Sequence, residues 1–295
     1  MCTAPAPHIT STSRPFLSPL SQGNGQWHRR CSVRALNTTT QDPGLIALRV
    51  LRAPQWAYFA VLPLAAATTL EPARLTLSFL AAAAALAFSY GLNAVAERHT
   101  DVSATKNPLV GLTALPRAVT LALASCVALA LTLAAALGLP SLVAIAVSLI
   151  AGTLYSVGPR LKAWPLAGLV ANTLIFVPLL VIGVSGRTLP AAFPDTMWVF
   201  TALLLQNQLA HELGDAREDE AAGALTTARA LGARVTRALM VCIALVAAVV
   251  TGHFVALALP TLTTLLPLDW STRRRAHRLA SIAVGAALFF LGRAS

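Results

Sequence analysis

Along most of this chain apolar residues run for about twenty positions at a time, and polar residues collect between the runs. Nine runs stand out, at roughly 44–70, 75–96, 117–137, 140–157, 165–186, 193–212, 235–252, 253–268 and 276–292. A hydrocarbon core about 30 Å thick needs roughly 20 apolar residues per helix. The pattern therefore predicts an all-α, polytopic membrane helix bundle of about nine transmembrane helices. Ala and Leu dominate, and no period-two alternation persists to suggest strands. The first run is the least regular, with Arg49 and Arg52 near its start and Pro54 and Pro63 inside it. The seventh and eighth are short and meet near Gly252 and His253.

Composition agrees with a bilayer environment. Hydrophobic residues make up 56% of the chain and charged residues 11%, with a mean hydropathy of +0.70. A soluble domain carries about 25% charged residues. The loops after runs two, four, six and eight hold Arg98, Lys106, Arg117, Arg160, Lys162, Arg217, Arg229, Arg234, Arg237, Arg273, Arg274, Arg275 and Arg278, whereas the other loops hold only Arg74 and Arg187. The positive-inside rule puts the basic loops and the N-terminus on the cytoplasmic-type face and the C-terminus opposite. The net charge of +11 then reflects topology, with some attraction to anionic headgroups of membrane lipid. No basic soluble domain exists to carry nucleic-acid binding, and no protein partner is implied.

The chain divides into a leader, 1–43, and a membrane-embedded domain, 44–295. Residues 1–41 contain no acid and four arginines, Arg14, Arg29, Arg30 and Arg34, among many Ser, Thr and Pro. This composition fits a transit peptide, and a disordered bacterial extension or a misplaced start fits it equally. No apolar segment follows the basic residues, so a secretory signal is excluded. The chain is expected in a bacterial inner membrane or, with a transit peptide, in a plastid or secondarily a mitochondrial membrane.

Only eleven acids occur, and seven of them form two clusters at the ends of the second and sixth runs. The first is Glu97 and Asp101; the second is Glu212, Asp215, Glu218, Asp219 and Glu220. Glu97 and Asp101 are four residues apart, and Glu212, Asp215 and Asp219 stand at offsets 0, 3 and 7. Such offsets place side chains on one helical face. Crowded carboxylates at a membrane edge raise one another's pKa or recruit a cation. Oxygen-only ligands select hard ions, and Mg2+ commonly bridges such carboxylates to substrate phosphates. Glu218 and Glu220 fall out of register and read as a solvated edge. A diphosphate also needs direct cationic contacts; Arg160 and Lys162 after the fourth run supply them, with Lys106 as a third candidate. The cysteines lack metal-ligand spacing. Of the histidines only His211 lies in a cluster.

These residues resemble the UbiA superfamily of intramembrane prenyltransferases. The family's first motif, NDxxDxxxD, reads here Asn93-Ala94-x-x-Glu97-x-x-x-Asp101, followed by Lys106-Asn107-Pro108. The second, DxxDxxxD, reads Glu212-x-x-Asp215-x-x-x-Asp219, then Gly223, Thr226 and Leu231-Gly232. The Tyr-Ser and Arg-x-Lys loop appears as Tyr155-Ser156 and Arg160-Leu161-Lys162, and a helix-five Asn as Asn172. The departures are Ala94 in place of an Asp, and Glu at 97 and 212.

The resemblance implies a bundle of two pseudo-repeated four-helix halves plus one helix, with the site between the halves. It implies Mg2+-dependent transfer of a prenyl group from a prenyl diphosphate to an aromatic or other lipophilic acceptor, as in quinone or pigment biosynthesis. Glu97 and Asp101 would hold one Mg2+, and Glu212, Asp215 and Asp219 another; Lys106, Arg160 and Lys162 would bind the diphosphate. Asn93, Tyr155, Asn172 and His211 would orient or deprotonate the acceptor. A membrane carrier for a phosphorylated isoprenoid lipid is the alternative that Ala94 keeps open. The second acidic stripe is expected to be the stronger metal site.

Overall fold

The computed structural model of the chain describes residues 42–101, 104–105, 107–184, 193–221 and 223–291. The expected targeting leader lies outside the described residues, as does Lys106. Among the described residues there is no strand. Twelve α-helices follow one another among the described residues: α1 Pro43–Val50, α2 Ala53–Trp56, α3 Leu62–Ala65, α4 Pro72–Glu97, α5 Arg117–Leu137, α6 Leu139–Ser156, α7 Ala167–Phe176, α8 Pro178–Gly183, α9 Phe193–Ala221, α10 Thr227–Thr251, α11 Phe254–Leu265 and α12 Trp270–Leu291. Taken together, α1 to α3 match the first apolar run and α7 with α8 the fifth, so the twelve pieces make nine passes. Five passes are long and apolar enough on their own to cross a membrane: Pro43–Ala65, α4, α5, α6 and α10.

Proline explains the fragmented passes, because it removes a backbone donor and clashes with the preceding turn. Pro54 stands in the first turn of α2 and Pro63 in that of α3. Arg52, between α1 and α2, takes a left-handed conformation with φ 55°. The Trp56 indole N–H donates to the Leu51 carbonyl at 2.5 Å and fixes this bend. In α10 the break is Gly232, with φ 74° and ψ 160°, inside what is otherwise one helix.

Three boundaries differ from the apolar runs. α9 continues to Ala221, α10 begins at Thr227 and α12 begins at Trp270. Hydropathy ends a segment at the first charges, but a helix needs only its backbone bonds and a cap. Asp269 provides that cap for α12, accepting from the Thr272 N–H at 3.0 Å and from the Ser271 and Thr272 hydroxyls at 2.7 and 2.6 Å. Those bonds hold its carboxyl well below the usual carboxylate range. Arg273, Arg274 and Arg275, expected in a loop, therefore lie on α12.

Small residues let the first half pack closely. Ala81, Ala82, Ala84, Ala85 and Leu86 of α4 are buried in the main core against α6 and α8. A methyl group added at Gly152 would lie 2.4 Å from the Ser89 hydroxyl, and one at Gly183 would lie 1.8 Å from the Pro63 carbonyl oxygen. In the second half α9 to α12 pack together, and a buried polar strut crosses them. Gln206 donates to the Met240 carbonyl and to the Thr261 hydroxyl, both at 2.8 Å. Its Oε1 therefore accepts from His277 Nε2 at 3.1 Å.

Candidate functional site

The C-terminal ends of α4, α6 and α9 and the N-terminal ends of α7, α10 and α12 gather at one end of the bundle, where both acidic clusters lie. α4 presents Asn93 and Glu97 on successive turns and ends at Glu97. One further turn follows, in which the Asp101 N–H donates to the Glu97 carbonyl at 2.9 Å. Asp101 thus stays beside Glu97 although it lies past the helix. Buried Asn107 secures this turn, donating to the Ala94 carbonyl at 2.8 Å and to the Asp101 carboxylate at 2.9 Å. Ala94 itself is packed in an apolar cluster with Ile46, Val50, Leu109 and Val119. Its methyl group is wholly buried there, and an aspartate in its place would enter an apolar environment.

Two cations face the first cluster. The Arg52 guanidinium, almost wholly buried, lies 4.0 Å from Glu97 and 3.8 Å from Asp101. The left-handed bend after α1 brings it there. Lys162, on a short 3-10 turn at Leu161–Ala163, forms an ion pair with Glu97 and donates to Asn93 Oδ1 at 3.1 Å. Asn93 Nδ2 donates in turn to Glu97 at 2.5 Å, and the Ser156 hydroxyl donates to Asn93 Oδ1 at 3.3 Å. Arg160 is exposed at the left-handed residue that opens the same turn.

The second cluster lies on the last turns of α9. His211 Nδ1 is 3.0 Å from Asp215 Oδ2. Burial and the nearby Asp215 push the Asp219 pKa up, while His211, Thr226 and Lys162 pull it down. Lys162 therefore contacts the first cluster and lies within electrostatic range of the second. Glu212 behaves differently from its neighbours. It is buried, and one oxygen accepts from the Ala228 N–H at 2.9 Å while the other accepts from Gln208 Nε2 at 3.2 Å. Ala228 is in the first turn of α10, so Glu212 satisfies an orphan donor of that helix. Gln208 also donates to the Tyr155 hydroxyl at 3.4 Å. Asn172 is half-buried on α7, which packs against α9.

Among the described residues no three His, Cys, Asp or Glu side chains converge on one point as a metal cage would require. Mg2+ is ordinarily held by one or two carboxylates together with substrate phosphates and water. Paired carboxylates such as Asp215 and Asp219 fit that pattern, and burial followed by the neighbouring Asp215 raises the Asp219 pKa.

The profile of the UbiA prenyltransferase family matches residues 56–292. The chain belongs to this family. A UbiA homologue from Archaeoglobus fulgidus bound to GPP and Mg2+ superposes with a TM-score of 0.64 at 23% identity, covering 83% of this chain and 99% of that one. The same homologue bound to DMAPP and Mg2+ gives 0.62 at 23% identity, over 82% and 98%. A structure described as digeranylgeranylglyceryl phosphate synthase in membranes gives 0.61 at 12% identity, over 85% and 97%. No curated protein matches the chain significantly.

As a UbiA family member the chain is a membrane prenyltransferase built on the helical bundle its apolar pattern predicts. The fold brings Asn93, Glu97, Asp101 and Lys162 together, and joins Tyr155 to Glu212 through Gln208. It does not bring Arg160 into contact with either cluster. Two residues of the site, Arg52 and Gln208, were not singled out from sequence. A signal existed for Arg52 and Gln208, since each is a costly polar group inside an apolar run.

Proposed function

We propose that this chain transfers the prenyl group of a prenyl diphosphate to a lipophilic or aromatic acceptor within the membrane, with Mg2+ as cofactor. The observation that carries the reading is Lys162, set between two acidic clusters at the membrane edge. Lys162 contacts the first cluster beside Arg52 and lies within electrostatic range of the second; a diphosphate with divalent cations matches both clusters and both cations. Glu97, Asp101, Asp215 and Asp219 would hold the ions, which supply charge neutralisation of the leaving diphosphate. Glu212 would serve the start of α10 instead.

Lys162 and Arg52 bind and orient the diphosphate and stabilise charge as the allylic C–O bond ionises. The bonding pair leaves with the diphosphate, the acceptor attacks the allylic carbon, and the displaced acceptor proton passes to a base. His211, oriented by Asp215, fits that role, and Tyr155, Asn93 and Asn172 fit acceptor positioning. A cavity of about 300 Å³ between α3, α9 and α12, lined by residues such as Val61, Leu62, Leu204 and Ile282, offers space for apolar substrate parts. The basic loops support an active end that faces the cytoplasm, stroma or matrix.

The test is incubation of membranes bearing the protein with radiolabelled prenyl diphosphates and a panel of acceptors, with and without EDTA. A lipid-soluble product that EDTA abolishes is expected. Absence of Mg2+-dependent product with every acceptor overturns the reading.

A further inference from the structure

α12 opens with four arginines on its first three turns, and they divide by direction. Arg273 lies over the Trp270 ring at 4.6 Å and donates to the Thr264 carbonyl at 3.4 Å, and Arg275 is exposed. Topological charge bias accounts for these two. Arg274 and Arg278 point elsewhere. With Ser281 and Gly285 they follow offsets of 4, 3 and 4 and so share one helical face. Arg278, Ser281 and Gly285 line the cavity described above. Among the described residues neither Arg274 nor Arg278 forms an ion pair with a carboxylate.

The surrounding groups are donors in want of an acceptor. Arg274 Nε is buried and makes no hydrogen bond, and the buried Tyr58 hydroxyl makes none either. Arg278 lies 4.8 Å from the centroid of the Tyr58 ring, with its Nε donating to Asn207 Oδ1 at 3.4 Å. That stacking and that bond fix the guanidinium while its terminal nitrogens remain available. Buried polar groups are normally satisfied, so orphan donors beside a cavity point to a ligand. Both arginines are half-buried, and half-buried cations with no carboxylate partner point to an anion.

Resting on the prenyl-transfer reading, we propose that Arg274, Arg278 and Tyr58 form the site for a carboxylate on the acceptor, whose ring occupies the adjoining cavity. The cavity walls include Tyr58, Phe59 and Phe200, which suit a flat ring. A guanidinium pair matches a planar carboxylate in a bidentate manner. Arg274 also lies within electrostatic range of Asp215, which offsets part of its charge. The remaining positive charge suits a monoanion better than a phosphate dianion. The donor diphosphate has its own cations in Lys162 and Arg52.

The test reads binding, not turnover. The full-length protein in nanodiscs of neutral phosphatidylcholine is titrated with 4-hexylbenzoate and with its uncharged amide, 4-hexylbenzamide. The wild type is expected to prefer the carboxylate by about tenfold or more, the size of one charge-assisted hydrogen bond. Arg278→Gln should reduce that preference and the double variant Arg274→Gln/Arg278→Gln should abolish it. Arg278→Lys, which keeps the charge, should retain part of it and report that the variants fold. Binding of geranyl diphosphate with Mg2+ should change less than about twofold in the double variant. Equal affinity of the wild type for acid and amide overturns the proposal, as does a preference that survives in the double variant. Loss of geranyl diphosphate binding in the double variant assigns the arginines to the donor, and displacement of the benzoate by added phosphatidylglycerol assigns them to lipid headgroups; either overturns it. A wild type that binds no geranyl diphosphate refutes the transfer reading, while the acid-to-amide ratio is still read on its own.

Discussion

The Glu212 carboxylate accepts a hydrogen bond from the Ala228 N–H at 2.9 Å, across the junction of α9 and α10. A second bond, from Gln208 at 3.2 Å, occupies its other oxygen. The first acid of the second motif therefore fastens the start of α10 to α9, and α10 in turn meets the cationic loop, where the Leu166 N–H donates to the Thr227 hydroxyl at 3.0 Å. Glu212→Gln keeps an acceptor and should leave the Mg2+ requirement of the reaction unchanged. Glu212→Ala leaves a buried N–H and the Gln208 amide unpartnered and should cost about 1–3 kcal/mol of stability. Thermal unfolding and Mg2+ titration of activity check both. A large rise in the Mg2+ needed by Glu212→Gln would make this residue a ligand after all.

Asp215→Asn and Asp219→Asn should behave in the opposite way. Each removes a charge from the carboxylate pair without changing its size. Activity should fall by about a hundredfold or more, with a weaker response to Mg2+ and little change in unfolding temperature. Near-normal turnover in both variants would remove the second cluster from the metal site.

The raised Asp219 pKa gives Mg2+ binding a pH dependence. Burial, then Asp215, make the protonated form more favourable in the folded protein than in the unfolded chain. Without metal, this group favours the folded state at low pH, and that contribution is lost as pH rises through the folded pKa. Mg2+ needs the ionised form, so its affinity should rise with pH over the interval just above the ordinary carboxylate value of about 4. Mg2+ titrations at several pH values check this, and the slope should flatten in Asp219→Asn. An identical slope in the variant would place the titrating group elsewhere.

Lys162→Met should reduce kcat/KM by about a hundredfold or more, through loss of charge on the leaving diphosphate. It should also free Glu97 and Asn93, which Lys162 now holds. Arg160→Met, at the exposed head of the same turn, should have the smaller effect. Steady-state kinetics of the two variants decide it, and equal losses would show that Arg160 swings in when substrate binds.

Gly183→Ala tests the packing of the first half. Its new methyl group would meet the Pro63 carbonyl at 1.8 Å, a backbone atom that cannot swing aside. Overpacking of this kind costs about 1–3 kcal/mol or more. A lowered unfolding temperature is expected, and an unchanged one would show that α3 can move away from α8.

The amino-acid sequence alone determined the nine passes and the position of both acidic clusters at pass ends. It could do so because lipid admits only long apolar helices, and because an unpaired charge in lipid is costly enough to make every acid informative. Offsets along a helix likewise gave Asp215 and Asp219 a common face. Sequence could not say which way a carboxylate turns when two partners compete for it. Glu212 and Asp215 look alike in the motif, yet one bonds the first turn of α10 and the other stands beside His211. Ala94 looks like a missing ligand, yet its side chain belongs to an apolar cluster. Arg52 joins Glu97 and Asp101 only because the chain bends left-handed after α1. Arg274 and Arg278 separate from Arg273 and Arg275 only once α12 extends back to Trp270. Each of these depends on contacts between distant segments, which tertiary packing alone decides.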